Sequence, residues 1–154
     1  MLTSCEKAIL PASDPASESV TFTFQANFSD ITRATSISGY FTKLNVQLFT
    51  TDGQKVLDKV KTQTADSEDF GTISLKLTPG TYTVVAVGHS SKVSASIKSP
   101  EVCQFTASNG EKLTDTFCHC SQIVVGSSAA DYTLPMYRAV AMVQFCLTDD
   151  QIPD

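Results

Sequence analysis

The sequence predicts an all-β protein, an antiparallel β-sandwich of seven to eight short strands. Apolar residues recur with period two along most of the chain, turn-forming residues separate the alternating runs, and no segment shows a helical period. Composition agrees, since Ser and Thr supply 37 of the 154 residues, and β-branched Thr suits a pleated, half-buried surface.

Residues 1–18 read as a tether. "EKAILPASDPASE" holds two prolines, two Ala-Ser pairs and no sustained period. The folded body is placed at 19–154. In "SVTFTFQANF", Val20, Phe22, Phe24, Ala26 and Phe28 share one face and polar residues the other, which describes a half-buried strand. "KLNVQLF" repeats this with Leu44, Val46 and Leu48 inward. Asp52-Gly53 then marks a hairpin, because glycine accepts the positive φ such turns need. The charged, Thr-rich "KVLDKVKTQT" reads as an edge strand.

"FGTISLKLTPGTYTVVAVGHS" is the most informative stretch. Ile73, Leu75 and Leu77 alternate with Ser74 and Lys76. Thr78-Pro79-Gly80 is a tight turn in which Gly80 is expected at positive φ. Tyr82 to Val87 is apolar on both faces, as in a central strand covered on two sides. "EVCQFTA" and "TDTFCHCSQIVV" add two strands, split by Ser108-Asn109-Gly110. "YRAVAMVQFCLT" supplies the last, with "DDQIPD" directly after it, so the chain is expected to be the first domain of a longer protein.

Several function classes drop out. Net charge is −5 with no basic cluster, which argues against a nucleic-acid partner. No apolar run approaches the ~20 residues that span a bilayer. His89 and His119 are the only histidines, and His89, beside Ser90 and Ser91, has no acidic orienter close in sequence. No nucleophile elbow is present. Asp66, Glu68 and Asp69 lack the ordering of a calcium loop. No catalytic residue, metal ligand or cofactor is therefore assigned.

The cysteines are more suggestive. Leu2-Thr3-Ser4-Cys5 has the form of a bacterial lipobox, with Leu three residues before an acylated Cys and small residues between. A charged and apolar leader before it is absent from the sequence. Cys118 and Cys120 fall on one strand face and His119 on the other, so "FCHC" cannot easily close on one ion. The two thiols read as small core hydrophobes. A disulfide among Cys103, Cys118, Cys120 and Cys146 has three connectivities, and the sequence does not choose.

"FTKLNVQLFTTDGQKV", "DFGTISLKLTPGTYTVVAVGHS" and "LPMYRAVAMVQFCLTDDQIPD", in this order, resemble the amino-terminal domain of the fimbrillin-A-associated anchor proteins of Bacteroidales, of the FimB or minor-fimbrium type. The most specific parts are L-x-P-G-x-Y and the closing R-x-V-A-x-V-x-F…D-x-I-P. The resemblance implies two transthyretin-like, Greek-key sandwich domains and a surface lipoprotein held at the outer membrane through acylated Cys5. It implies fimbrial subunits as partners, joined by strand addition, and no enzymatic activity. Leu77, Pro79, Gly80 and Tyr82 would shape a hairpin, and Arg138, Val140 and Ala141 a core strand leading to a second domain. Arg33 would be a protease site if the chain were processed as some pilins are. The alternative is a surface adhesin or glycan-binding module outside pilus assembly, and a host ligand fits either reading.

Overall fold

The structure, a computed structural model, describes residues 16–26, 36–106 and 113–139. Nine strands occupy them: β1 (Glu18–Ala26), β2 (Lys43–Thr50), β3 (Lys61–Thr64), β4 (Thr72–Leu77), β5 (Gly80–His89), β6 (Ser94–Ser99), β7 (Val102–Thr106), β8 (Thr116–Val125) and β9 (Ala130–Arg138). Seven form a sheet in the order β3-β2-β5-β8-β9-β1-β4, and β6 and β7 form a separate hairpin.

The large sheet folds back on itself at β8–β9. One core therefore takes side chains from both halves: Val20, Phe22 and Phe24 of β1 and Ile73 of β4 meet Leu44, Val46 and Leu48 of β2 and Val84 and Ala86 of β5. Period-two alternation puts these residues on one side, and burying each large apolar side chain contributes about 1.5–3 kcal/mol. The all-β sandwich prediction thus holds, with one addition. Every described pairing is antiparallel except β1 with β9, which runs parallel from Val20↔Ala130 to Ala26↔Met136.

β5 is central, paired with β2 on one side and β8 on the other. Its second face is covered as well, because Ile97 of β6 and Cys103 and Phe105 of β7 pack with Phe49, Val85 and Val87 into a second cluster. That explains why Tyr82 to Val87 is apolar on both faces. The β2 hairpin turns at Gly53, whose φ is 80°, with the Gly53 amide donating to Thr50 O at 3.0 Å. β3 is the edge strand expected from the charged segment, reduced to four residues.

Four expectations change. Gly80 is not at positive φ; among described glycines only Gly53 and Gly71 are. Gly80 instead opens β5, and Pro79 alone makes the corner. The Tyr82 hydroxyl ties that corner down, donating to Thr78 O at 2.8 Å and lying 2.9 Å from Thr78 Oγ1. β6 was not expected, because "SASIKS" has one strongly apolar residue and takes its order from the surface it covers. β9 was not expected either, while the strand predicted in "YRAVAMVQFCLT", with Val140 and Ala141, lies beyond Ala139 outside the described residues. Lastly, Cys118 and Cys120 are exposed and His119 is buried. Phe117, Ile123 and Val125 share His119's parity and face the main core, which turns the two thiols outward.

Candidate functional site: an open seam between β8 and β9

β8 and β9 pair only at Phe117↔Arg138 and Cys118↔Tyr137. Past Cys118 the strands separate, and the rest of β8 has no strand on its second edge among the described residues. The direction of the backbone there follows from one contact. The Tyr132 hydroxyl donates to Val124 O at 2.7 Å, so that carbonyl points away from β5. In an antiparallel ladder a residue's N–H and C=O point the same way and alternate along the strand. The free edge therefore presents the main-chain groups of Cys120 and Gln122 and the N–H of Val124, whose carbonyl already accepts from Tyr132.

The facing edge of β9 is prepared in the same way. His119 Nδ1 donates to Pro135 O at 2.8 Å, while His119 Nε2 lies 2.7 Å from Ser121 Oγ. Pro135 O thus points away from β1, and its missing N–H falls on the edge that carries no ladder, where proline is tolerated. Apolar surface lies close by: Val124 is 70% and Tyr137 51% exposed. Arg138 closes the paired end, with Nη2 3.2 Å from Asp115 Oδ2 and its guanidinium 5.6 Å from the Phe117 ring centre. The seam is a backbone edge joined across by two side chains, without the arrangement of acid, base and nucleophile that catalysis requires.

A second feature is a cleft of about 280 Å³ lined by Lys43, Asn45, Thr62, Thr64, His89, Val93, Ser94 and Ala95. Buried His89 stands at its base. Thr62 Oγ1 donates to Asn45 Oδ1 at 3.0 Å, which leaves Asn45 Nδ2 to donate to His89 Nε2 at 3.2 Å. His89 Nδ1 must then carry the proton and donate to Ser91 Oγ at 2.9 Å. Ser91 is an acceptor in this relay, so His89 does not activate it. Burial lowers the His89 pKa below its ordinary value, and the Lys43 charge adds to this. The cleft holds a neutral structural histidine.

The residues singled out in the sequence fall in different places. Leu77 is buried at the end of β4, and Pro79, Gly80 and Tyr82 build the corner into β5. Arg138 ends β9 at the seam. Cys5, Arg33, Val140 and Ala141 lie outside the described residues. The seam itself escaped the sequence reading. Its one local signal is Pro135 within an alternating run, which demotes a strand to an edge. Among the described residues no cluster of three or more His, Cys, Asp or Glu side chains could hold a metal ion, and no helix is long and apolar enough to cross a membrane.

The family model of the fimbrillin-A associated anchor proteins Mfa1 and Mfa2 matches residues 10–154. The chain belongs to this family. No curated protein matches this anchor-family chain in sequence. Solved structures with a similar fold include a candidate polysaccharide-binding protein of Bacteroides thetaiotaomicron, at TM-score 0.54 and 13% identity, covering 80% of this chain and 47% of that one. A candidate adhesin of Bacteroides ovatus matches at TM-score 0.54 and 15% identity over 84% and 47%. A candidate adhesin of Bacteroides thetaiotaomicron matches at 0.53 and 16% over 83% and 47%. The anchor-family chain thus spans about half the length of these structures, and at such identities they bear on its fold.

Proposed function

We propose that this chain is the amino-terminal domain of a surface lipoprotein that serves as a fimbrial anchor or subunit. It would be held at the outer membrane by acylated Cys5 and joined to other fimbrial subunits by strand addition. Membership of the anchor family supports the fimbrial role. The single structural observation behind the assembly mode is the free edge of β8, where Cys120 and Gln122 present main-chain groups beside exposed apolar side chains. An extended segment of a second subunit would pair with that edge, with backbone hydrogen bonds giving affinity and alternate side chains giving register.

Gln122→Pro tests the docking edge. It removes an N–H on the free side and leaves the β5 ladder intact, so the variant should fold yet fail to join fimbriae in the native host. Normal incorporation of folded Gln122→Pro would end the strand-addition reading. Cys5→Ala in the full precursor should release the protein from the membrane fraction, and retention would end the lipid-anchor reading. Deletion should alter fimbrial number, length or attachment; unchanged fimbriae would remove the fimbrial role.

A second reading draws on the descriptions of the structural neighbours: an adhesin or glycan-binding module on the same scaffold, meeting a host or polysaccharide ligand. Glycan binding by the purified chain, together with unaltered fimbriae on deletion, would favour it. Cleavage after Arg33 belongs with the pilin reading, and would appear as a shortened chain lost on Arg33→Ala.

A further inference from the structure

Three thiols converge on the outer face of the β5–β8 pair, the side of the sheet opposite the main core. Cys118 and Cys120 project from β8, opposite Val87 and Val85 of β5. The β6–β7 hairpin lies over this face and brings Cys103. Alternation along β7 turns Cys103 and Phe105 toward the sheet, while Val102, Gln104 and Thr106 face solvent.

Two contacts set where β7 lies. The Phe105 ring meets the His89 imidazole edge-on at 5.5 Å, and His89 is paired with Thr116. At the other end, Cys120 Sγ–H donates to Pro100 O at 3.7 Å. The hairpin is therefore held over Thr116 and over Cys120. Cys103 is two residues from Phe105, one pleat repeat along, and that step leads to the Val87–Cys118 pair. Cys103 and Val87 do belong to one apolar cluster.

We propose that Cys103 and Cys118 form a disulfide that pins the β6–β7 hairpin onto the β5–β8 face. The competing pairs fit less well. Cys118 and Cys120 stand two residues apart on one strand face, about 6.8 Å at the usual rise, whereas a disulfide needs Cβ atoms ~3.5–4.5 Å apart. Cys120 already points to the hairpin turn through Pro100. Partial desolvation raises the pKa of half-buried Cys103 and of the more exposed Cys120, and the Cys118 side chain adds to each shift, consistent with Cys118 standing between them.

The chemistry is thiol–disulfide exchange. Exposed Cys118, as thiolate, attacks a small or enzymatic disulfide donor, forming a mixed disulfide and expelling one donor thiol. Cys103 then loses its proton and attacks Cys118 Sγ. The Cys103–Cys118 bond forms, the second donor thiol leaves, and two electrons and two protons have passed to the donor. The proposal draws on the surface reading only for an oxidising compartment.

The test uses the purified chain, so its outcome is separate from any fimbrial assay. The protein is equilibrated with oxidised glutathione, alkylated, digested and mapped by mass spectrometry. The expected product is a Cys103–Cys118 cross-link with Cys120 still alkylated. Closing a loop of about 15 residues should raise Tm by roughly 5–10 °C. Cys118→Ser, at an exposed position, should abolish both cross-link and Tm rise, as should Cys103→Ser, while Cys120→Ser keeps both. A cross-link through Cys120 or Cys146, no intramolecular cross-link, or a Cys103–Cys118 bond that leaves Tm unchanged would each overturn the proposal.

Discussion

Tyr82→Phe removes one oxygen and keeps the ring, which makes it a clean probe of the corner between β4 and β5. The ring is 7% exposed and packs in the main core, so apolar burial is unchanged. What is lost is the bond to Thr78 O at 2.8 Å and the contact with Thr78 Oγ1 at 2.9 Å. A net hydrogen bond contributes about 0.5–1.5 kcal/mol. Thr78 is exposed, so water can reach its carbonyl once the hydroxyl is gone, which keeps the cost below the penalty for a buried orphan. The expected loss is about 1–2 kcal/mol, or a fall in Tm of roughly 3–6 °C for a chain of this size. Urea unfolding should show a lower midpoint at unchanged m-value. Thr78→Val, which keeps the main-chain bond, should cost less than Tyr82→Phe. If Tyr82→Phe left the midpoint unmoved, or if Thr78→Val cost as much, the corner would not depend on the bond assigned to it.

Other substitutions probe other parts of the fold. A Cβ at Gly88 would lie 2.7 Å from three ring carbons of Phe41, and that ring is enclosed by Phe70 and Phe117. Gly88→Ala should therefore cost about 2–3 kcal/mol, and combining it with Phe41→Leu should cost less than the sum of the two, read by chemical denaturation. His89 has a lowered pKa when folded, so between that value and the ordinary one near 6.5 the unfolded chain binds more protons. Its contribution is complete above about pH 6.5 and is lost as pH falls through the folded value; urea midpoints across that window should drop toward acid, and less so in His89→Gln. The Asp115–Arg138 pair is half-exposed on both sides, so Asp115→Asn should change stability by less than about 1 kcal/mol; a larger loss in thermal unfolding would contradict that ranking.

How much was legible in the sequence depends on range. Local patterning located β1, β2, β4, β5, β7 and β8, because a two-residue period writes a half-buried strand directly. β5 was marked as central by being apolar on both faces. Parity also separated the thiols from His119 in "FCHC", yet did not by itself say which side was inside. The answer lay in neighbours of the same parity, since Phe117, Ile123 and Val125 take the core side with His119. β6 was hidden because six mostly small polar residues become a strand only against a partner. The parallel pairing of β1 with β9, and hence the seam, depends on contacts more than a hundred residues apart, which no local window contains. Only Pro135 hinted at the free edge.

That parallel pairing has a mechanical consequence. β1 is the first and β9 the last of the described strands, and they lie side by side pointing the same way. Tension applied ahead of Glu18 and beyond Arg138 drags the two strands in opposite directions along their length. The ladder from Val20↔Ala130 to Ala26↔Met136 is then loaded in shear, with its bonds sharing the pull at once. An antiparallel pair pulled from adjacent ends would instead open one bond at a time. Forced rupture is governed by the unfolding rate under load, and this geometry makes the line from Glu18 to Arg138 an axis of high resistance.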